Sequence, residues 1–217
     1  MKTLSVSTVI ASASLLAMSL AASAAPGGPV PTAPGQNKLQ CFDGTTDTAN
    51  ADPAGSYGPY GGICTLTSKG AKGPATLDNT VLVGTADYAG VYVFNSNLNG
   101  KPIGQIDHLS FIYIGTPTNG SPRITLPIDT TGDGVLDDYL SISAHWCNDG
   151  AGLVDAIHDS TCIIFLNSNG TTPVGQNWAE MVAAHPTWTI TNDSAFVIAD
   201  DPGIWTVYNV TLGKPGK

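Results

Sequence analysis

The sequence predicts an all-β protein, an antiparallel β-sandwich of jelly-roll type with one short helix and one calcium-binding loop. Three observations point there. From Ala75 onward, short runs rich in Val, Ile, Tyr and Phe alternate with clusters of Gly, Asn, Asp and Pro, the rhythm of strands and turns in a sandwich. Of the 17 acids only Glu180 is Glu, and Asp favours turns where Glu favours helices. The four cysteines form an even set in a chain that opens like an exported protein.

Residues 1–24 read as an export signal. Lys2 is the lone charge before an apolar run from about Val6 to Ala22, and Ala22-Ser23-Ala24 has the small-x-small form of a cleavage site. That run is too short and Ser-rich for a membrane span, and no other follows. The expected product is exported, extracellular or periplasmic. Residues 25–37 contain Pro26, Pro29, Pro31 and Pro34 and read as an extended tether. Residues 38–217 are expected to form a single sandwich domain.

Within that domain, Gly44–Gly62 is low in apolar residues and reads as a long loop bearing Tyr57 and Tyr60. Strands are expected over Thr76–Gly84, Gly90–Asn95, His108–Ile114, Arg123–Ile128, Asp138–Ala144, Thr161–Leu166, Thr187–Thr191, Ala195–Ala199 and Ile204–Leu212. In the last, the two-residue period places Ile204, Tyr208, Val210 and Leu212 on one face, with Asn209 and Thr211 outward. Only Trp178–Ala184 reads as helix, ended by His185-Pro186. Nearest-neighbour pairing gives the disulfides Cys41–Cys64 and Cys147–Cys162, one of three possible pairings. Closing loops of that size stabilises by about 3 kcal/mol each. No two cysteines are close enough for a zinc knuckle.

Without Lys2 there remain 7 basic residues against 17 acids, a net charge of 7 − 17 = −10. Nucleic acid and anionic membrane select basic patches, so neither is an expected partner. Between Asp129 and Asp138 the chain reads Asp-Thr-Thr-Gly-Asp-Gly-Val-Leu-Asp-Asp. With Asp129 as position 1, Thr131, Asp133, the Val135 carbonyl and Asp137 fall at positions 3, 5, 7 and 9, and Gly134 holds the turn at 6. Position 12 is Leu140 instead of the bidentate Glu of an EF-hand, and Asp138 or another segment would supply that oxygen. Four carboxylates in ten residues repel, by about 1–3 kcal/mol per close pair, unless something compensates them. Ca²⁺ is the expected cofactor; the alternative is an acidic hairpin turn without metal.

The core Ile128-Asp129-Thr130-Thr131-Gly132-Asp133-Gly134-Val135-Leu136-Asp137-Asp138-Tyr139, with Ile106–Gly115, Trp178–Trp188 and Ala195–Leu212, resembles a group of secreted microbial jelly-roll-like proteins. The loop itself is similar to those of dockerins and thrombospondin type 3 repeats. The resemblance implies a fold and a calcium loop, and no activity.

His145-Trp146-Cys147-Asn148-Asp149, with Asp155, His158 and Asp159, gathers two histidines and three aspartates near the second disulfide. It would be a metal or acid–base site if those groups converge, and a solvated disulfide-tied loop if they do not. No Gly-x-Ser-x-Gly, His-Glu-x-x-His or phosphate loop is present, and a single Glu excludes a Glu–Glu glycosidase. Trp146, Trp188, Trp205, Tyr57 and Tyr60 could form an aromatic platform for sugar rings, with Tyr57, Tyr60 and Trp146 the chosen ligand-binding candidates. The expected function is a secreted, calcium-stabilised, non-catalytic binding module for carbohydrate. A structural surface or matrix protein is the alternative, and a secreted hydrolase a third reading. Two or more aromatics on one exposed sheet face would favour the module.

Overall fold

The structure is a computed structural model, and it describes residues 38–44, 61–67, 73–80, 87–94, 98–147, 152–170, 172–191 and 195–213. The export signal, the tether, Tyr57, Tyr60 and Asp149 lie outside the described residues.

Among the described residues thirteen strands run in chain order: β1 (Lys38–Asp43), β2 (Ile63–Leu66), β3 (Ala75–Asp78), β4 (Ala89–Phe94), β5 (Leu109–Ile114), β6 (Arg123–Asp129), β7 (Asp138–Ser143), β8 (Leu153–Asp155), β9 (Ile164–Leu166), β10 (Pro173–Gly175), β11 (Thr189–Ile190), β12 (Ala195–Ala199) and β13 (Ile204–Leu212). The single α-helix, α1, spans Trp178–Ala184 as the sequence predicts. Its N-cap is Asn177, whose Oδ1 accepts the Glu180 amide at 2.9 Å, while Glu180 reaches back to the Gln176 amide.

All pairing is antiparallel. The large sheet runs β1-β4-β12-β6-β7-β9-β10 with β11 against β6, and the small sheet runs β2-β3-β13-β5-β8. The C-terminal strands β12 and β13 part company, each inserting centrally into one sheet. The two antiparallel sheets form a β-sandwich; the narrower jelly-roll class is not shown by this strand order.

Alternation builds the core. Val91, Val93, Ile124, Leu126, Leu140, Ile142 and Val197 of the large sheet are buried, as are Leu77, Phe111, Trp205 and Val207 of the small one. Trp205 is the largest of these side chains. Its indole N–H donates to the Thr116 carbonyl at 2.9 Å. Gly115 and Gly203 admit its ring closely: a Cβ on either would stand 2.8 or 2.5 Å from it.

Both disulfides pair as expected, Cys41–Cys64 and Cys147–Cys162. The first joins β1 of the large sheet to β2 of the small one. The second ties the 3-10 turn after β7 to the approach to β9, with both cysteines fully buried.

Three strand expectations need correction. The face assigned to Ile204 and Tyr208 is wrong, because β13 changes phase: Trp205 and Val207 are buried before Asn209, and Val210 and Leu212 after it. A bulge causes this, with Tyr208 opposite Ile112 but Thr211 opposite Ser110, and Asn209 taking φ 51°. Four strands escaped prediction: β1, β2, β8 and β10. They are edge strands or short ones, half-buried and without a regular apolar alternation. Within Thr76–Gly84, β3 ends at Asp78, and residues 81–84 lie outside the described set.

Candidate functional site

Two regions of the large sheet carry side chains beyond the needs of the core: the loop between β6 and β7, and the sheet's outer face.

Within the loop Asp129, Asp133 and Asp137 each accept amides of its turns, among them those of Thr131 and Val135, while Asp138 reaches out of it. Asp129 ends β6, buried beside β11. Its Oδ1 accepts the amides of Thr131 at 2.9 Å and Gly132 at 2.6 Å, and its Oδ2 accepts that of Gly134 at 2.7 Å. Asp137 Oδ2 accepts the Thr130 amide and hydroxyl at 2.8 and 2.9 Å and the Thr131 amide at 3.0 Å. Asp133 Oδ1 takes the Val135 amide at 2.9 Å. Asp138 accepts the Tyr139 amide and reaches across to the Ser168 hydroxyl and amide. Backbone amides thus supply compensation for the clustered charge.

The titration of the two best-bonded acids follows. Burial on its own raises the Asp129 carboxyl, but the amides of Gly132, Gly134 and Thr131 outweigh it and hold the group below the ordinary aspartate value. The Thr130 amide and hydroxyl lower Asp137 in the same way, against a smaller opposing effect of burial. A folded-state value below the unfolded one contributes stability that is present above the unfolded value, about 3.9, and is lost as pH falls through the folded one. Asp129→Asn should therefore destabilise at pH 7, by a gap that narrows as pH falls below the unfolded value in urea melts. A gap that does not change with pH would contradict this.

These donors suit a hard cation, being all oxygen, and the amides take up Asp133 Oδ1 and Asp137 Oδ2 while both residues stay exposed. Among the described residues, however, no group of three or more His, Cys, Asp or Glu converges as a metal site.

The outer face of the large sheet carries rings. On strands whose inward residues fill the core, the intervening Phe42 (β1), Tyr92 (β4), Phe196 (β12), Tyr139 (β7) and Phe165 (β9) are only partly buried. Phe42 and Tyr92 have centroids 4.4 Å apart; Tyr92 and Phe196, 6.5 Å; Phe196 and Tyr139, 5.7 Å. Phe42 lies over Gly90, where any Cβ would overlap its ring. Farther along, Phe165 neighbours Trp146 at 6.1 Å. Trp146 is 39% exposed, stands edge-on to His145 and donates its N–H to the Asn119 carbonyl at 3.1 Å. Between the rings runs a polar line: Thr125 and Ser141 hydroxyls 3.4 Å apart, and the Ser141 hydroxyl donating to Asn167 Oδ1 at 2.7 Å.

Trp146 is thus the one candidate ligand-binding residue that can be placed, at one end of this band. Trp188 and Trp205 are buried and cannot serve as a platform; Trp188 stacks on His185 at 3.8 Å. Sequence reading missed Phe42, Tyr92, Tyr139, Phe165 and Phe196. Their signal was an aromatic at the outward position of successive strands, visible only once strand order is known.

The histidine and aspartate group forms no cluster of three or more such side chains among the described residues. His158 Nδ1 bonds Asp155 at 2.9 Å, with the imidazole largely exposed. Asp159 caps its own turn through Thr161. His108 stands 6.5 Å from the His158 ring, and His145 turns to Trp146.

Comparison of the chain with protein-family models, with curated proteins and with solved structures finds no match.

Proposed function

We propose that this protein is an exported, non-catalytic binding module that holds a glycan on the outer aromatic face of its large sheet, with Ca²⁺ as a stabiliser of the loop between β6 and β7. The observation that carries the reading is the run of partly exposed rings across β1, β4, β12, β7 and β9, on the face that does not pack the core. Aromatic faces stack on the apolar faces of sugars; the Thr125 and Ser141 hydroxyls are buried and bonded within the protein, so they support the strands beneath the rings and do not reach a ligand. Export is supported by the leader-like first 24 residues and by two disulfides, which persist in oxidising compartments. Among the described residues no helix is long and apolar enough to cross a membrane.

A glycan array read with and without millimolar calcium tests this. Retention of at least one polysaccharide is expected, without release of products. Turnover that disappears when Asp149, Asp155, His158 and Asp159 are replaced together would overturn the module. For the loop, calcium at ~100-fold its dissociation constant should add about 2.7 kcal/mol. Equal melting temperatures in EDTA and in calcium would remove calcium from the reading. The rival, a structural surface protein, draws on the small sheet's outer face, where Ile63, Ile114, Leu153 and Ile204 are exposed.

A further inference from the structure

We infer that the aromatic face takes a single neutral glycan chain running across the strands, and not the flat surface of a crystalline polysaccharide. This rests on the binding reading above and narrows it by ligand form, direction and charge.

Direction follows from the strand order. The rings sit on β1, β4, β12, β7 and β9, and Phe196 and Tyr139 meet across β6, where Thr125 is fully buried, so the path of rings runs perpendicular to the strands. From β1 to β9 are five strand spacings, about 24 Å at ~4.8 Å each, so one sugar ring covers about one spacing. Length of chain should therefore matter.

Form follows from the ring planes. A crystalline surface is flat and is matched by rings lying coplanar. Here Phe42 and Tyr92 are tilted by 33°, while Phe196 stands at 90° to Phe42, 85° to Tyr92 and 61° to Tyr139. Such rings make ridges and notches that can hold one chain from its sides as well as from below. They cannot all meet one plane.

Charge follows from composition. Phe42, Tyr92, Phe196, Thr125, Tyr139, Ser141, Phe165 and Asn167 carry no formal charge at neutral pH. Arg123, the one arginine of the chain, lies at the margin in a two-pronged pair with Asp200. A chain of net charge −9 repels polyanions. An uncharged glycan avoids that repulsion.

The test uses the whole mature protein and compares physical forms of the same polymer. Probes are swollen amorphous cellulose and chitin, soluble xylan and mixed-linkage β-glucan, crystalline cellulose and chitin, and polygalacturonate. Retention on an amorphous or soluble probe should exceed that on its crystalline counterpart by tenfold or more, with polygalacturonate not retained. Oligosaccharides of the retained polymer, from two to six sugars, should bind more tightly with length up to about one sugar per strand crossed. Phe42→Ala, at one end of the path, should remove the gain of the longest oligosaccharides. Equal or stronger retention on the crystalline form, an affinity already level at the disaccharide, or preference for polygalacturonate would overturn this inference while leaving a glycan-binding module in place. No retention on any probe would overturn the binding reading, and this inference with it.

Discussion

Trp205→Ala is expected to lower stability by about 3–5 kcal/mol, the range for truncating a large buried aromatic. The side chain is 1% exposed, fills the centre of the small sheet's inner face and gives its N–H to the Thr116 carbonyl. Truncation leaves a cavity and an unmatched carbonyl together, and the backbone at Gly115 and Gly203, shaped around the ring, has no side chain to move inward. For a domain of this size the loss corresponds to about 6–20 °C in Tm. Trp205→Phe should recover much of the packing but not the hydrogen bond. A loss below about 1 kcal/mol by urea denaturation would mean that the ring does not pack as described.

Removing the Cys41–Cys64 bridge, as Cys41→Ala with Cys64→Ala, should cost about 3 kcal/mol on the chain-entropy account. The bridge joins edge strands of opposite sheets, with 23 residues of separation. Among the described residues no ladder connects β1 to β2, since β1 pairs with β4 and β2 with β3, so those edges are joined directly by the covalent link and by the Cys64 amide, which donates to Asp43 Oδ2 at 3.1 Å. The denaturant slope should rise as the midpoint falls, because an uncrosslinked unfolded chain exposes more surface. An unchanged midpoint, or a map of non-reduced peptides linking Cys41 to Cys147 or Cys162, would contradict the topology.

How much of this was legible in the chain depends on how local the signal is. Arg123–Asp129, Ala195–Ala199 and α1 announce themselves through periodicity and capping, and the structure places them within a residue of expectation. The phase of β13 was not legible, because a bulge at Asn209 is decided by pairing with β5. Strands such as β2 and β8 are short and carry no alternation to read, and among the described residues each pairs on one side only. Around Asp129 the residue types were legible, but not that backbone amides, supplied by the loop's own turns, would take up most of the carboxylate oxygens. The aromatic band was the least legible. Phe42 and Phe196 are 154 residues apart in sequence, and only insertion of β12 beside β4 brings their rings to 5.9 Å.

That band is also where the account is most exposed to test. Tyr92→Ala combined with Phe196→Ala removes two adjacent rings from the outer face while leaving Val91, Val93 and Val197 to hold the core. Leu153→Ala, on the outer face of the small sheet, serves as the control. Isothermal titration with the best-retained soluble glycan should show at least a tenfold weaker Kd, about 1.4 kcal/mol, for the double variant. The control should match the wild type, with circular dichroism confirming the fold of all three. Unchanged affinity in a folded double variant, or an equal loss in Leu153→Ala, would contradict the assignment of binding to the aromatic face.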